Sequence, residues 1–260
     1  MNILLLLVTQ GVGGVEKRFY NYSKYVLNRI DHNYTVVISN SLLSSLGGIS
    51  YCKNNSLISY GVKWKKKSRT KRYIDYFFLL LVLIKLANKR FHAAHFVTFS
   101  SLFFRRLVRA DKKVHSFVNS ISQVQENICS SSLFKTIMSE NFKIDCLDEN
   151  IRTFILGKFP NRSHNIVSAP CSFINNDMDM GNSKKENIIS FVGRLEDFKG
   201  IQLLIEIIPQ ILECTNYKIH IFGRGFYSKQ IEELITRSGI SDRVKLDYAT
   251  GPKEELKKSK

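Results

Sequence analysis

Residues 187–225 read NIISFVGRLEDFKGIQLLIEIIPQILECTNYKIHIFGRG, and the reading of this stretch decides the fold. Ile188 to Val192 form a short apolar run closed by Gly193, after which Ile201, Leu204, Ile205, Ile208 and Ile211 recur at helical spacing. A second apolar run, Ile219 to Phe222, ends at Gly223 and Gly225. The unit therefore reads as strand, crossover helix and parallel strand, the building block of a doubly wound α/β sheet. Ligands of such sheets bind beyond the carboxyl ends of the strands, which is where Gly193, Arg194, Lys199, Gly223 and Arg224 fall.

Those residue types suit an anion, and a diphosphate would fit. Glycine lets backbone approach a ligand, arginine offers a planar fork matched to phosphate, and lysine adds a compact charge. Lys199 is expected at the start of its helix, where backbone N–H groups and the dipole favour an anion but oppose a cation. On spacing alone a second reading stands beside this one, in which Arg194 and Lys199 pair with Glu196 and Asp197 on a solvated loop.

The segments Phe191-Val192-Gly193-Arg194-Leu195, Lys199-Gly200 and Ile221-Phe222-Gly223-Arg224-Gly225 resemble the donor-binding half of glycosyltransferase family 4, retaining enzymes of the GT-B fold. The resemblance implies that Arg194 and Lys199, as a GR-x4-K element, grip the diphosphate of a nucleotide sugar. It also implies that Gly223 and Gly225, and the loop from Tyr248 to Thr250, lie near the nucleotide. Near the start of the chain, Gly13-Gly14-Val15-Glu16 resembles the family's GG-x-E element, whose backbone lies beside the donor's phosphate and sugar. By the same resemblance the donor is a substrate and no cofactor or metal is expected. Asp177-Met178-Asp179 matches a metal-binding pattern by letter but falls in a linker.

The rest of the chain fits an α/β protein of two such domains. At 260 residues and 44% apolar it can bury a sizeable core. Its five cysteines are scattered and never in C-x-x-C spacing, which argues against a disulfide framework or zinc site and fits a reducing, cytoplasmic setting. The opening MNILLLLVTQ lacks a basic n-region and reads as a buried parallel strand, followed by a helix through Phe19, Tyr20, Tyr25 and Leu27. Further strands are expected at Tyr34–Ser39, Phe91–Ser100 and Lys113–Asn119, with an unassigned serine-rich loop from Leu42 to Asn55. Many family members carry a histidine near the end of the last of these strands, where this chain has Asn119. Pro170 and the polar stretch Asn175 to Asn187 mark a boundary near residue 180, dividing an acceptor-side domain, 1–180, from a donor-binding domain, 181–260. The family's E-x7-E element has no counterpart in these residues. The expectation is thus an incomplete second domain with weak donor affinity.

Charge is concentrated in the first half. Between Gly61 and Lys113 there are 15 Lys and Arg against two acids, out of a net +17 for the chain. Such a field attracts anionic lipid headgroups, polyphosphate ligands or nucleic acid. No nucleic-acid motif accompanies it, and the neighbouring aromatics run into the apolar stretch Tyr76–Leu86 rather than a stacking platform. That stretch is far shorter than the ~20 residues a membrane-spanning helix needs. It suits a helix packed on the sheet, or one lying in a membrane interface. The expected activity is transfer of a sugar to a glycan or lipid-linked acceptor in surface polysaccharide synthesis, with peripheral contact to an anionic membrane through 61–113. A non-catalytic relic or membrane-peripheral binding protein is the alternative. A dehydrogenase is disfavoured, because no G-x-G-x-x-G turn is present.

Overall fold

A computed structural model describes residues 1–9, 13–63, 69–117, 124–125, 131–140, 142–169 and 185–248. Packing divides the chain into two units, Met1–Ile174 and Asn175–Lys260.

The first unit is a seven-stranded, fully parallel sheet. Its strands are β1 (Asn2–Leu6), β2 (Asn33–Ser39), β3 (Ser56–Tyr60), β4 (Arg90–Phe96), β5 (Arg109–Phe117), β6 (Lys143–Cys146) and β7 (Ile166–Ser168), in the order β3-β2-β1-β4-β5-β6-β7. The order reverses between β1 and β4, which makes the crevice at their carboxyl ends the topological switch point. Alternation along β1 supplies both faces. Leu5 and Leu7 pack with Phe19, Tyr20 and Leu27 of α1 (Gly14–Leu27) and Leu42 of α2 (Asn40–Leu46). Leu4 and Leu6 face the other way, toward Leu79 and Leu83 of α3 (Arg69–Leu86), Phe134 of α4 (Ser132–Ser139) and Ile151 of α5 (Glu149–Lys158). Helix α3 is pinned at its N-terminal half by Asp75, which is 2% exposed and accepts the Val62 N–H at 3.1 Å. A Cβ on Gly61 would come within 2.3 Å of that carboxylate, so the helix sits directly on the end of β3.

The second unit has a three-stranded parallel sheet in the order β10-β9-β8: β8 (Ile188–Val192), β9 (Lys218–Phe222) and β10 (Val244–Asp247). Its core joins Ile219 and Ile221 to Ile201, Ile205 and Ile208 of α6 (Ile201–Cys214) and Ile231 of α7 (Ser228–Arg237).

Several expectations are corrected. The serine-rich loop contains most of helix α2, capped by the Ser39 hydroxyl accepting from the Leu42 N–H at 3.3 Å, and strand β3 follows directly after the loop. β4 stops at Phe96 and a 3-10 helix follows at Phe99–Leu107, while β5 starts four residues early at Arg109. Asn119, Thr250, Pro170, the Asp177-Met178-Asp179 stretch and most of the linker lie outside the described residues.

Candidate functional site

The loop after β8 brings the basic pair together around one aromatic ring. Phe198 is 65% exposed, with the Arg194 guanidinium 5.2 Å and the Lys199 ammonium 5.6 Å from its ring centroid. Both are within cation–π range. Neither cation forms an ion pair with a described residue, and Asp197 is engaged elsewhere, accepting a hydrogen bond from the Tyr227 hydroxyl. That bond holds the Tyr227 phenol above its ordinary range. The solvated-salt-bridge reading of Arg194 and Lys199 is therefore not realised here, and both charges remain available to an anion.

Lys199 does not start the helix as its sequence position suggests. Asp197–Lys199 form a single 3-10 turn, and Gly200 (φ 71°, ψ 18°) provides the left-handed link from which α6 begins at Ile201. Lys199 thus immediately precedes the N-cap of α6 rather than lying within the helix.

Gly223 and Gly225 serve the fold before any ligand. A Cβ on Gly223 would lie 1.8 Å from the Gly193 carbonyl oxygen, and one on Gly225 would lie 2.4 Å from that of Leu195. The two loops continue the parallel ladder: the Gly193 N–H donates to Phe222 O (3.0 Å), Leu195 N–H to Arg224 O (3.1 Å) and Tyr227 N–H to Leu195 O (3.1 Å). Their close approach requires glycine. Gly193, by contrast, has room, its added Cβ meeting only the Phe191 ring at 3.7 Å. Arg224 stacks over Tyr248 at 5.4 Å, and the Tyr248 hydroxyl donates to Glu232.

In the first unit Gly13 and Gly14 stand at the start of α1, beyond β1. The Glu16 carboxylate turns back there, accepting from Thr9 Oγ1 at 2.7 Å, and a Cβ on Gly13 would come 2.9 Å from its Oε2. Gly13 accordingly makes room for Glu16, while nothing lies within 4 Å of a Cβ on Gly14. Among the described residues, then, this helix start already faces a carboxylate.

Three residues that the sequence does not single out as a group meet at the carboxyl ends of β4, β5 and β6. His95 Nε2 is 2.7 Å from Ser116 Oγ, which donates to Asp145 Oδ2 at 2.9 Å. Because the hydroxyl proton points to the carboxylate, Ser116 accepts from His95 Nε2–H, which fixes the imidazole tautomer. Burial pushes His95 down to about 4, with Arg18 of α1 adding to the effect. Burial raises Asp145 against the opposing pull of Ser116 and Arg18, and its Oδ1 is buried with no hydrogen-bond partner among the described residues. His115 is structural: its Nδ1–H donates to Phe96 O at 2.7 Å, and its ring meets Phe117 edge-on at 4.9 Å.

With this geometry in place, comparison with known proteins is informative. Residues 174–258 match the family described as Glycosyl transferases group 1. The matched residues include Arg194, Lys199, Gly223 and Thr250 but not Gly13 or Gly14. An uncharacterized glycosyltransferase of Methanocaldococcus jannaschii is 39% identical over 71 residues, 27% of this chain, and the chain covers only 18% of that relative. Among solved structures, Anabaena HepE in complex with UDP aligns with a TM-score of 0.63 at 14% identity, over 98% of this chain and 71% of that one. A variant of Staphylococcus aureus TarM, in complex with Fondaparinux, alpha-GlcNAc-glycerol and UDP, gives 0.65 at 14% identity, over 99% and 79%. A glycosyltransferase from Rickettsia africae gives 0.62 at 17% identity, over 99% and 71%. At such identities the likeness establishes the fold, which is α/β of the GT-B kind with a larger and a smaller parallel sheet.

Proposed function

We propose that this chain acts as a retaining glycosyltransferase of family 4, moving a sugar from a nucleotide diphosphate donor to a glycan or lipid-linked acceptor in surface polysaccharide synthesis. The observation that carries the proposal is the pair of cations, Arg194 and Lys199, flanking Phe198 without an ion-pair partner among the described residues at the carboxyl end of β8. In the transfer the bond between the anomeric carbon and the diphosphate breaks, an acceptor oxygen takes the diphosphate's place, and the acceptor's proton passes to the released diphosphate. The leaving diphosphate gains negative charge, which two preorganised cations stabilise without a metal. Support comes from the group 1 match over 174–258 and from HepE, a structural neighbour solved with UDP and with UDP-glucose. In this reading Gly193 keeps the loop after β8 open to the donor and Gly223 holds the 193–195 loop in place. The basic segment 61–113 suits an acceptor carried in an anionic membrane.

Calorimetric titration of the full chain with UDP, GDP and ADP tests the assignment. Saturable binding of one of them, lost in Arg194→Ala and Lys199→Ala and weakened several-fold in Phe198→Ala, is the expected result. Undiminished binding by Arg194→Ala would remove the phosphate site.

A further inference from the structure

Helix α3 carries an apolar face that nothing described in the protein covers. Leu79, Leu83 and Leu86 point into the core, yet Tyr73, Ile74, Phe77, Phe78, Leu81 and Ile84 are each between 40% and 70% exposed. Their spacing places all six on one side of the helix. The 3-10 helix at Phe99–Leu107 packs alongside, with the Tyr76 and Phe104 rings edge-to-face at 5.7 Å, and adds Phe103 at 63% exposure and the exposed Arg106. Single exposed apolar residues are ordinary, but a contiguous set of large ones marks an interaction surface.

The charges around the stripe select the partner. Arg72 near one end of α3 and Lys85 and Lys89 near the other are exposed. Of the two acids in 61–113, Asp75 is buried beneath the helix and Asp111 pairs with Arg90 at 2.7 Å. We infer that this face is a membrane-docking surface, on which α3 lies in the plane of the interface with its apolar side among acyl chains and its basic ends at anionic headgroups. An interfacial helix usually needs a polar side of its own. Here the opposite side, with Leu79, Leu83 and Leu86, is buried in the core, and the body of the unit takes the place of a polar face. No helix among the described residues is long and apolar enough to cross a membrane. A second copy of the chain fits the face less well, because a two-fold contact would set two strongly basic surfaces against each other. The inference rests on the transferase reading only for the lipid-borne acceptor; the docking itself stands on α3.

The test is sedimentation of the full chain with vesicles of phosphatidylcholine alone and of phosphatidylcholine mixed with phosphatidylglycerol. Wild type is expected to follow the mixed vesicles, and less so as salt is raised. The double variant Phe77→Ser/Phe78→Ser should lose at least about tenfold in apparent affinity. Lys85→Glu/Lys89→Glu should lose the preference for phosphatidylglycerol. All four positions are exposed, so far-UV circular dichroism should not change. Wild type left in the supernatant with mixed vesicles, or serine variants that bind as wild type does, would overturn the inference. So would a dimer in sedimentation velocity that the two serines disperse. UDP titration of the wild type separates the two proposals: nucleotide binding without vesicle binding defeats only the docking, and the reverse defeats only the donor site.

Discussion

Gly223→Ala puts a methyl carbon 1.8 Å from the Gly193 carbonyl oxygen, 3.0 Å from its carbon and 3.4 Å from Leu195 Cδ2. The obstacle is backbone, so relief requires the loops after β8 and β9 to part by about 1.5 Å. Parting breaks the Gly193 N–H bond to Phe222 O (3.0 Å) and the Leu195 N–H bond to Arg224 O (3.1 Å), each worth about 1 kcal/mol net. It also loosens Leu195, which is fully buried, for about another 1 kcal/mol. The total of about 3 kcal/mol corresponds to a local opening roughly a hundred times more frequent. Amide hydrogen exchange over 188–195 and 219–227 reads that quantity directly. Gly193→Ala is the control, since its methyl group meets only the Phe191 ring at an ordinary 3.7 Å, and it should leave exchange nearly unchanged. Wild-type protection in Gly223→Ala would refute the argument that glycine is there to let the two loops touch.

Two further outcomes concern the first unit. Glu140→Ala strips the partner from Arg105, which is 7% exposed and meets Glu140 at 3.0 Å through Nε and 3.1 Å through Nη2; urea unfolding should show a loss of about 2–3 kcal/mol, with Glu140→Gln recovering part of it. His95 and His115 are both pushed by burial from 6.5 down to about 4, so between those values the unfolded chain binds the extra protons. Their stabilising contribution is therefore complete above pH 6.5 and is lost as pH falls toward 4. Asp145, raised by burial, opposes the lower part of that decline. Urea midpoints across this range should flatten in a His95→Asn/His115→Asn variant, and an unchanged pH slope would count against neutral buried imidazoles.

The second unit was largely legible because its apolar residues are concentrated: Ile188–Val192, Ile219–Phe222 and the Ile201–Ile211 stripe stand in the structure as β8, β9 and α6. The first unit hid more. β3 is SLISY, short and half polar, and β5 begins RADKK, whose charges occupy its exposed start and conceal the strand. The GR-x4-K spacing pointed to Arg194 and Lys199 but not to Phe198, because the ring's position between them depends on the 3-10 turn and the left-handed Gly200. The role of Gly223 depends on the approach of two loops 30 residues apart in sequence, which no local pattern encodes. His95, Ser116 and Asp145 come together only through the order β4-β5-β6, which no single stretch of sequence specifies.

The Asp75 carboxylate, wedged against Gly61 and bonded to the Val62 N–H, ties the N-terminal half of α3 to the end of β3. A helix so fastened makes a rigid keel. With α3 seated in a lipid interface, the first unit would be held at one tilt and one height, and its strand ends would sweep a layer of fixed depth above the headgroups. If the proposed acceptor is lipid-borne, its encounter with the protein would then be a two-dimensional search, and the distance from α3 to the strand ends would set how far its glycan must project to be reached.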